Sequence, residues 1–339
     1  MKIEGADSGR LDVYLQKRLP HLSRSSLQTH IRAGQIRVNG DEVKTGYKLE
    51  DGDEIHIWVD LDAPVLAEAP APEHVPIVAL DILYEDEAVL VVNKPAGLVV
   101  HPGSGTKGQP TLVAAVLAHV TAQNLAEALP GDPERPGVVH RLDKETSGAM
   151  VFAKTAQAHR SLSKQFKDKT NLREYVALLD GVLKDDEIPV TSYLYRDPRF
   201  RIRFASLPVE DYELMQEEGR DLQAYRFAKT YFHKRKVYGQ RLTLAVMNLE
   251  TGRTHQIRVH ARSLGVPVWG DKVYGFTPKL PQQFPSAVKT SLEAVARHLL
   301  HARRLGFVHP VDGRKLAFEA PLPPDFRSVL ELLEKHSQS

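Results

Sequence analysis

Hydrophobic positions near the start of the chain recur first at helical and then at strand-like spacing. Leucine and isoleucine stand four residues apart over 11–19 and again over 27–31, which predicts two helices. Apolar and polar residues then alternate over 36–38 and 55–59, and the Asn39–Gly40 dipeptide after the first of these runs favours a tight hairpin turn. This order predicts a small α/β module over residues 1–62.

A proline-rich stretch separates this module from the rest of the chain. Residues 63–80 include four prolines and have no hydrophobic period. Because proline fixes φ and removes a backbone donor, we expect an extended, semi-rigid linker.

Beyond the linker, short apolar runs alternate with single amphipathic stretches. Strands are predicted at 89–92, 148–154, 173–181 and 242–249, and helices are predicted to begin after the capping residues Thr155 and Thr254. This interleaving favours an α+β domain with a mixed, largely antiparallel sheet over residues 81–326, followed by a C-terminal tail over 327–339.

The composition narrows the possible chemistry. The 339 residues include no cysteine, which excludes disulfides, thiolate zinc sites, iron–sulfur clusters and cysteine nucleophiles. No run approaches the roughly 18 apolar residues of a membrane span, and the N-terminal segment lacks a signal-peptide core. We therefore expect a cytoplasmic protein without a membrane partner.

The formal net charge of +2 conceals an uneven distribution of charge. Five basic residues and no acidic one lie between Tyr14 and Gly40, and six basic residues with no acidic one lie between Leu222 and Leu249. These segments indicate either a phosphate-bearing partner or two solvated faces. The balancing carboxylates gather at 209–221, which we interpret as a surface loop turned away from such a partner.

Several other kinds of site are disfavoured. Residues 103–108 match the glycine pattern of a dinucleotide-binding loop, but flanking prolines and the lack of a second strand ending in an acid argue against it. Among the fifteen histidines, His255 and His260 are five residues apart on a predicted helix and cannot face one metal ion together. The sequence has no G-x-S-x-G nucleophile elbow, and no carboxylate pair stands out for glycoside hydrolysis.

Polar residues collect near the ends of predicted strands in three segments, 137–148, 173–179 and 250–260. In the first segment, the carboxylate of Asp143 among basic and hydroxyl side chains should stay ionised and fixed in direction. In the third, the helix start is rich in arginine, which suits contacts with phosphates or carboxylates.

The first segment resembles the signature loop of the RluA-type RNA pseudouridine synthases. The resemblance rests on the run from His140 to Asp143 and on Thr146–Gly148. The run Asn93–Gly97, together with His101, is similar to the first motif of that family.

The other two segments extend this resemblance in the order of the family. Glu174-Tyr175 resembles the strand that carries the family tyrosine, and Gly252–His260 resembles the third motif. Val268–Gly275 is also similar to the family, so that the resemblance covers residues 81 to 326. Residues 1–62 resemble the S4-type (alpha-L) RNA-binding domain that precedes the catalytic domain in the RluD-like branch.

The resemblance implies a cofactor-free isomerisation of uridine to pseudouridine in RNA. Asp143 would be the catalytic aspartate, Arg258 the arginine that pairs with it, and Tyr175 the tyrosine that packs on uracil and is the candidate base for the C5 proton. Arg141 would enter the space that the flipped uridine leaves. The other expected substrate contacts are His140, Thr146, Arg253, Thr254, His255 and Gln256, and the expected RNA-backbone contacts are Arg24, Arg32, Arg37, Lys234 and Arg235.

The resemblance further implies a monomer that acts on large-subunit ribosomal RNA, free or in an assembling subunit, without a metal or other cofactor. Two alternatives remain. One is a non-catalytic RNA-binding or ribosome-assembly protein of the same fold, against which intact Asp143, Tyr175 and Arg258 argue. The other is a nucleotide-cofactor enzyme built on the glycines at 103–108.

Overall fold

The computed structural model describes residues 9–20, 22, 24–58, 78–102, 108–122, 129–132, 135–200, 202–275 and 284–337. The chain divides into two compact units, one formed by residues 1–75 with 130–137 and the other by 76–129 with 138–339. Most of the expected linker, up to residue 77, and the glycine run at 103–107 lie outside the described residues.

The first unit contains two helices and a small antiparallel sheet, as the hydrophobic pattern predicts. Its elements are α1 (Leu11–Arg18), α2 (Arg24–Arg32), β1 (Ile36–Val38), β2 (Asp41–Glu42) and β3 (Ile55–Ile57), with the strands in the order β2-β1-β3. Asn39 and Gly40 have φ angles of 53° and 87°, which form the expected tight turn between β1 and β2. The apolar residues at the predicted inward positions share one core, and the burial of their surface stabilises the unit.

The second unit is built around one ten-stranded sheet. Its strands are β4 (Ile82–Glu85), β5 (Val89–Lys94), β6 (Ser147–Ala153), β7 (Leu172–Asp180), β8 (Glu187–Arg196), β9 (Phe204–Leu207), β10 (Arg226–Tyr238), β11 (Leu242–Leu249), β12 (Leu300–Val308) and β13 (Lys315–Glu319). Their order is β4-β5-β6-β12-β7-β11-β10-β8-β9, and β13 pairs with β12. β6 and β12 are parallel, whereas β12 and β7 are antiparallel, so the predicted mixed sheet is confirmed.

Helices pack on both faces of this sheet. They are α3 (Leu112–Ala122), α4 (Ala156–Asp168), α5 (Val209–Glu217), α6 (Gln256–Ser263), α7 (Ser286–Glu293) and α8 (Pro324–Ser337). Alternate residues of β7 point to opposite faces, as strand geometry requires. Tyr175 and Ala177 belong to the core that contains α3 and α6, whereas Val176 and Leu178 belong to the core that contains α7 and α8.

The close approach of β6 and β12 requires glycine at position 148. Gly148 has a φ of 121°, and a Cβ there would lie 2.2 Å from the carbonyl oxygen of Ala302. This contact fixes the start of β6, and therefore the end of the polar loop that precedes it.

The predicted cap of α4 is confirmed, but the predicted cap of α6 is wrong. Thr155 Oγ1 accepts the N–H of Ala158 at 3.1 Å. α6 begins only at Gln256, after His255 in the left-handed region with a φ of 58°, so Thr254 does not cap it. The contacts of Gln256 account for this, because its side chain turns back to accept the N–H of Arg253 and its Nε2 donates to the carbonyl of Lys229 in β10.

Two segments expected to be irregular are helical. Residues 209–217, predicted as a loop, form the exposed helix α5, whose Tyr212 ring stacks on Tyr193 of β8 with 3.5 Å between centroids. The segment predicted as a tail from residue 327 is the body of α8. Phe326 and Leu333 of that helix are buried in the core on its face of the sheet, so the helix is part of the domain.

Candidate active site

The polar segments predicted from the sequence converge beside the first residues of β12. His301 of β12 pairs with Ser147 of β6 on one side and with Val176 of β7 on the other. The loop before β6 and the start of β7 therefore lie close together, and α6 packs on the same face of the sheet as Tyr175. The three segments line a cavity of about 350 Å³, a size typical of small-molecule sites.

Asp143, Arg258 and Asp271 form a largely buried ionic network in this region. Arg258 Nη1 donates to Asp143 Oδ2 at 3.0 Å, while Nε and Nη2 donate to the two oxygens of Asp271 at 2.7 and 2.9 Å. The side chains of Arg258 and Asp271 are 6% and 0% exposed, whereas that of Asp143 is 17% exposed and lines the cavity. The two-pronged contact fixes the guanidinium plane, so Nη1 stays directed at Asp143.

The charges around Asp143 keep it ionised. Burial alone would raise the pKa of Asp143, but the nearby His255 and Arg258 outweigh it and hold this pKa below its usual range. Burial also lowers the pKa of His255 itself, so that ring is largely neutral at pH 7 and Arg258 supplies the positive charge. The result is an anionic carboxylate with a fixed orientation at the cavity wall.

Tyr175 lines the same cavity and is 8% exposed. Burial raises the pKa of its phenol to about 12, with the charge of Asp143 acting in the same direction and that of Arg173 opposing it. Tyr175 is therefore a neutral phenol at physiological pH. Its ring presents a flat apolar surface to whatever occupies the cavity.

Two buried basic side chains, Lys94 and Arg297, hold the backbone of the loop that carries Asp143. Lys94 is fully buried and its Nζ donates to three backbone carbonyls, including that of Lys144 at 2.9 Å. From the side of α8, Asp325 binds Arg297 through two hydrogen bonds of 2.7 and 2.9 Å, and Arg297 Nη1 donates to the carbonyl of Glu145 at 3.1 Å. The backbone on the C-terminal side of Asp143 is thus held through successive carbonyls.

Thr146, an expected substrate contact, has its hydroxyl engaged within the protein. It is 2% exposed, and its Oγ1 lies 2.8 Å from His298 Nε2. Burial lowers the pKa of His298 to about 3, so this ring is neutral. Thr146 lines the cavity, but its polar atom serves to anchor the loop.

Gln256, another expected substrate contact, has no hydrogen-bonding capacity left for a ligand. Its Oε1 accepts from Thr251 Oγ1 at 2.7 Å and from the N–H of Arg253 at 3.0 Å. Its Nε2 donates to the carbonyl of Lys229 and to Thr230 Oγ1 at 3.0 and 2.9 Å. Gln256 is a positioning residue that joins the turn before α6 to β10.

His255 and Tyr274 lie beside the contact between Asp143 and Arg258. His255 Nδ1 lies 2.8 Å from Tyr274 Oη, and its Nε2 lies 3.9 Å from Asp143 Oδ2. The Tyr274 ring packs against Arg258, whose Cζ is 4.9 Å from the ring centroid. The backbone of His255 is strained, because a residue with a Cβ seldom adopts a positive φ. The tertiary contacts of this ring hold the strained geometry.

His140 and Arg141 are adjacent in sequence but have different environments. His140 Nε2 accepts the N–H of Val151 at 3.1 Å, and its ring stacks on Phe166 with 4.4 Å between centroids. Burial lowers the pKa of His140 to about 3, so this ring is neutral. Arg141 is exposed at the cavity, and among the described residues no carboxylate lies within 4.0 Å of it. Arg253 and Thr254 also line the cavity.

Nearby carboxylates neutralise part of the predicted RNA-binding charge. In the first unit, Arg24 pairs with the buried Asp12 at 2.9 Å and Arg37 pairs with Glu42 at 2.8 Å, whereas Arg32 lies exposed at the end of α2.

The basic segment in β10 shows the same effect. Lys234 pairs with Asp186 at 3.0 Å and also donates to two backbone carbonyls, while Arg235 is exposed. At the two ends of this strand, Lys229 and Lys236 pair with Glu250 and Glu334. The positive surface of the second unit is therefore smaller than the sequence indicates.

The sequence did not predict a functional role for Asp271, Lys94, Arg297 or His298. Asp271 lies in the run Val268–Gly275, which resembles the family but carries no role there, and Lys94 lies in the first motif. Arg297 and His298 belong to no motif, and their roles become visible only in the packing of α8 and β12. Across the described ranges, no three or more His, Asp or Glu side chains are arranged to hold a metal ion. In the same ranges no helix is both long and apolar enough to cross a membrane.

Comparison with known proteins relates both units to described families. The family model described as RNA pseudouridylate synthase matches residues 88–263, and the model described as S4 domain matches residues 9–55.

Several individual proteins are similar over most of the chain. An RNA pseudouridine synthase of Aquifex aeolicus, named as uncharacterised, is 38% identical over 339 residues, which cover 99% of this chain and 97% of that one. The ribosomal large subunit pseudouridine synthase D of Neisseria meningitidis serogroup A is 40% identical over 326 residues, which cover 96% and 79%. Human RNA pseudouridylate synthase domain containing 4 has a similar structure, with a TM-score of 0.55 over 75% of this chain and 92% of that one. At 23% identity, that similarity supports the fold alone.

Proposed function

Because the chain belongs to the RNA pseudouridylate synthase family, as the motifs predicted, we propose that it modifies large-subunit ribosomal RNA and that Asp143 carries the chemistry. The protein is an isomerase that converts uridine in RNA to pseudouridine. The observation that carries our assignment of the site is the contact between Asp143 and Arg258 at the cavity wall, with a distance of 3.0 Å. It supplies an oriented anion where a nucleoside can enter.

The reaction needs such an anion. The N1–C1′ bond of uridine breaks, the uracil turns within the site, and C5 then bonds to C1′. An ionised carboxylate can attack C1′ directly or remove the 2′ proton, and both routes require a base that is unprotonated at neutral pH. The lowered pKa of Asp143 meets this requirement, because Arg258 stabilises its charged form.

Tyr175 is suited to pack on the uracil ring as it turns. Its phenol and its place in the cavity support this stacking role. A pKa of about 12 opposes the second expected role, removal of the C5 proton, since that step needs a phenolate. Replacement by phenylalanine separates the two roles, because only the base role requires the hydroxyl.

Arg141 is the candidate for occupying the space that the flipped uridine leaves. A base must leave its stack before it can enter an enclosed site, at a cost of a few kcal/mol. Arg141 is exposed at the cavity two residues before Asp143, and its planar guanidinium can stack on a base and bond to phosphate together. Arg253 beside the same cavity, and Arg32 and Arg235 elsewhere, are candidate phosphate contacts with salt-sensitive affinity.

Ribosomal RNA is the proposed substrate because of the named relatives. The relative from Neisseria meningitidis and one from Xanthomonas campestris, 37% identical over 337 residues, are both named ribosomal large subunit pseudouridine synthase D. The S4 domain adds a second RNA-binding unit. We further propose that the protein acts as a monomer in the cytoplasm, on free RNA or on an assembling subunit. Which uridines it modifies depends on RNA shape and on loop contacts.

Pseudouridine mapping tests this proposal. The protein is incubated with unmodified ribosomal RNA, and carbodiimide-blocked primer extension then reveals new stops. We expect stops with the wild type, none with Asp143→Asn, and unchanged stops with Asp211→Asn, a control on the exposed helix α5. If the wild type produces no stop on any cellular RNA, the catalytic proposal fails in favour of a non-catalytic RNA-binding protein. Equal activity of Asp143→Asn would instead refute the assigned residue.

A further inference from the structure

The turn between β8 and β9 exposes apolar side chains among arginines. We call residues 197–203 the hairpin tip; its sequence runs Asp-Pro-Arg-Phe-Arg-Ile-Arg. Phe200 is 49% exposed and Ile202 is 69% exposed. Exposed apolar side chains with polar residues around them are typical of an interaction site.

Hydrogen bonds within the hairpin tip hold these side chains outward. The N–H of Asp197 donates to the carbonyl of Arg203 at 3.0 Å, and the N–H of Arg203 donates to the carbonyl of Phe200 at 2.9 Å. Asp197 Oδ1 also accepts the N–H of Arg199 at 2.9 Å. The exposure of Phe200 is therefore set by a formed turn. A preorganised aromatic side chain loses little entropy when it binds a partner.

A continuous series of stacked groups joins the hairpin tip to Arg258 and Asp143. The Arg203 guanidinium lies 5.0 Å from the centroid of Phe200 and 6.0 Å from that of Tyr274. Tyr274 in turn packs against Arg258 at 4.9 Å, and Arg258 binds Asp143. Two hydrogen bonds hold these stacked groups in place. Arg203 Nε donates to the carbonyl of Val273 at 2.8 Å, and Tyr274 Oη accepts the N–H of Phe204 at 2.8 Å.

We propose that the hairpin tip binds unpaired nucleotides a few positions from the target uridine, with Phe200 stacking on a base and Arg199 contacting a phosphate. This inference rests on the proposed function. It follows from complementarity: a base continues the series of stacked groups that ends at Phe200, and phosphates complement the arginines. The Arg199 side chain is 82% exposed and only loosely paired with Asp197 at 3.5 Å, so it is accessible to a phosphate.

Substitutions at Phe200 test the stacking. We expect Phe200→Ala to raise KM for ribosomal RNA about tenfold with little change in kcat, Phe200→Leu to behave similarly, and Phe200→Tyr to stay within about twofold of the wild type. The control is Val311→Ala, which truncates an exposed apolar residue (62% exposed) in the turn between β12 and β13. Single-turnover rates separate binding from chemistry, and circular dichroism verifies that each variant is folded.

Two results would overturn the inference. One is a Phe200→Ala variant with the KM of the wild type on free RNA. The other is an equal loss in Phe200→Ala and Phe200→Tyr. A loss seen only on ribosomal particles would assign the hairpin tip to a protein partner instead. If the wild type proves inactive, the proposed function fails separately, and gel-shift affinities of the same variants for RNA still decide whether Phe200 contacts RNA.

Discussion

Replacement of Asp271 by asparagine probes the ionic network with almost no change in volume. The carboxylate accepts four N–H groups, two from Arg258 and those of Val273 and Tyr274. Three of these bonds converge on Oδ1, so the amide oxygen of the substituted side chain is expected to occupy that position. The amide nitrogen would then face Arg258 Nε–H, a donor, across the present 2.7 Å contact.

Asp271→Asn is expected to lower the free energy of unfolding substantially, because little water reaches the buried pair of Arg258 and Asp271. Removing one partner from a buried ion pair costs about 3–5 kcal/mol. Since Arg258 keeps Asp143 as a second carboxylate, we expect the lower end, about 3 kcal/mol of the free energy of unfolding. The guanidinium also loses the contact that fixes its plane. A shift of about 1 Å at Nη1 would lower kcat by about tenfold to a hundredfold.

Urea denaturation and single-turnover kinetics measure these two effects separately. The stability assay compares unfolding midpoints at equal slope, and the kinetic assay is run at a temperature where the variant is fully folded. Asp211→Asn on the exposed helix α5 removes the same charge and should change neither quantity. A variant as stable as the wild type would refute the energetic argument. A destabilised variant with the kcat of the wild type would refute the claim that Asp271 orients Arg258.

Four further predictions concern the second unit. Phe326→Ala should lower the free energy of unfolding by about 3–5 kcal/mol, because Phe326 is fully buried, whereas Glu331→Ala on the exposed side of α8 should not; equal urea midpoints would mean that α8 is dispensable. Because the pKa of Asp143 is lowered and that of Tyr175 is raised to about 12, neither group should produce a step in kcat from about pH 6 to 9; a step near pH 7 would be assigned to Lys94, whose pKa burial lowers to about 7, and a step elsewhere in this range would contradict the prediction. The lowered pKa also means that Asp143 stabilises the fold above its ordinary pKa of about 3.9 and loses this contribution as the pH falls through the lower folded value, which acid unfolding monitors. Arg141→Lys should reduce kcat/KM on ribosomal RNA more than on a short unpaired substrate, since lysine keeps the charge but cannot stack; equal losses on both would contradict a role in flipping.

Local sequence signals were sufficient to predict secondary structure where the chain follows a regular hydrophobic period. The strand predicted at 242–249 has those bounds in the structure, and Thr155 caps α4 as its position before an amphipathic run indicates. The helix α6 was predicted but its cap was wrong, and its N-terminal half is buried on all sides, Arg258 and His260 included. A hydrophobic pattern cannot reveal a buried arginine, since what makes that burial tolerable is a pair of carboxylates elsewhere in the chain.

The distribution of charge likewise depends partly on the local sequence and partly on contacts between distant residues. The sequence correctly separates two basic segments from an acidic one, yet it cannot say which lysines are neutralised. Lys234 meets Asp186 across the sheet, and Lys236 meets Glu334 at the far end of the chain. The strength of each such pair depends on distance and burial, which are properties of the folded chain.

By itself, the sequence of this protein determined the two-unit organisation, the α+β class and the motif residues Asp143, Tyr175 and Arg258, because hydrophobic periods, turn residues and motif spacings are local. Only the tertiary structure brought Asp143 to Arg258 across 115 residues of chain and added Asp271 as the group that fixes the arginine. It also joined the hairpin tip to Arg258 through Arg203 and Tyr274. These contacts arise from strand order and helix packing, so their energies exist only once distant segments share a buried environment.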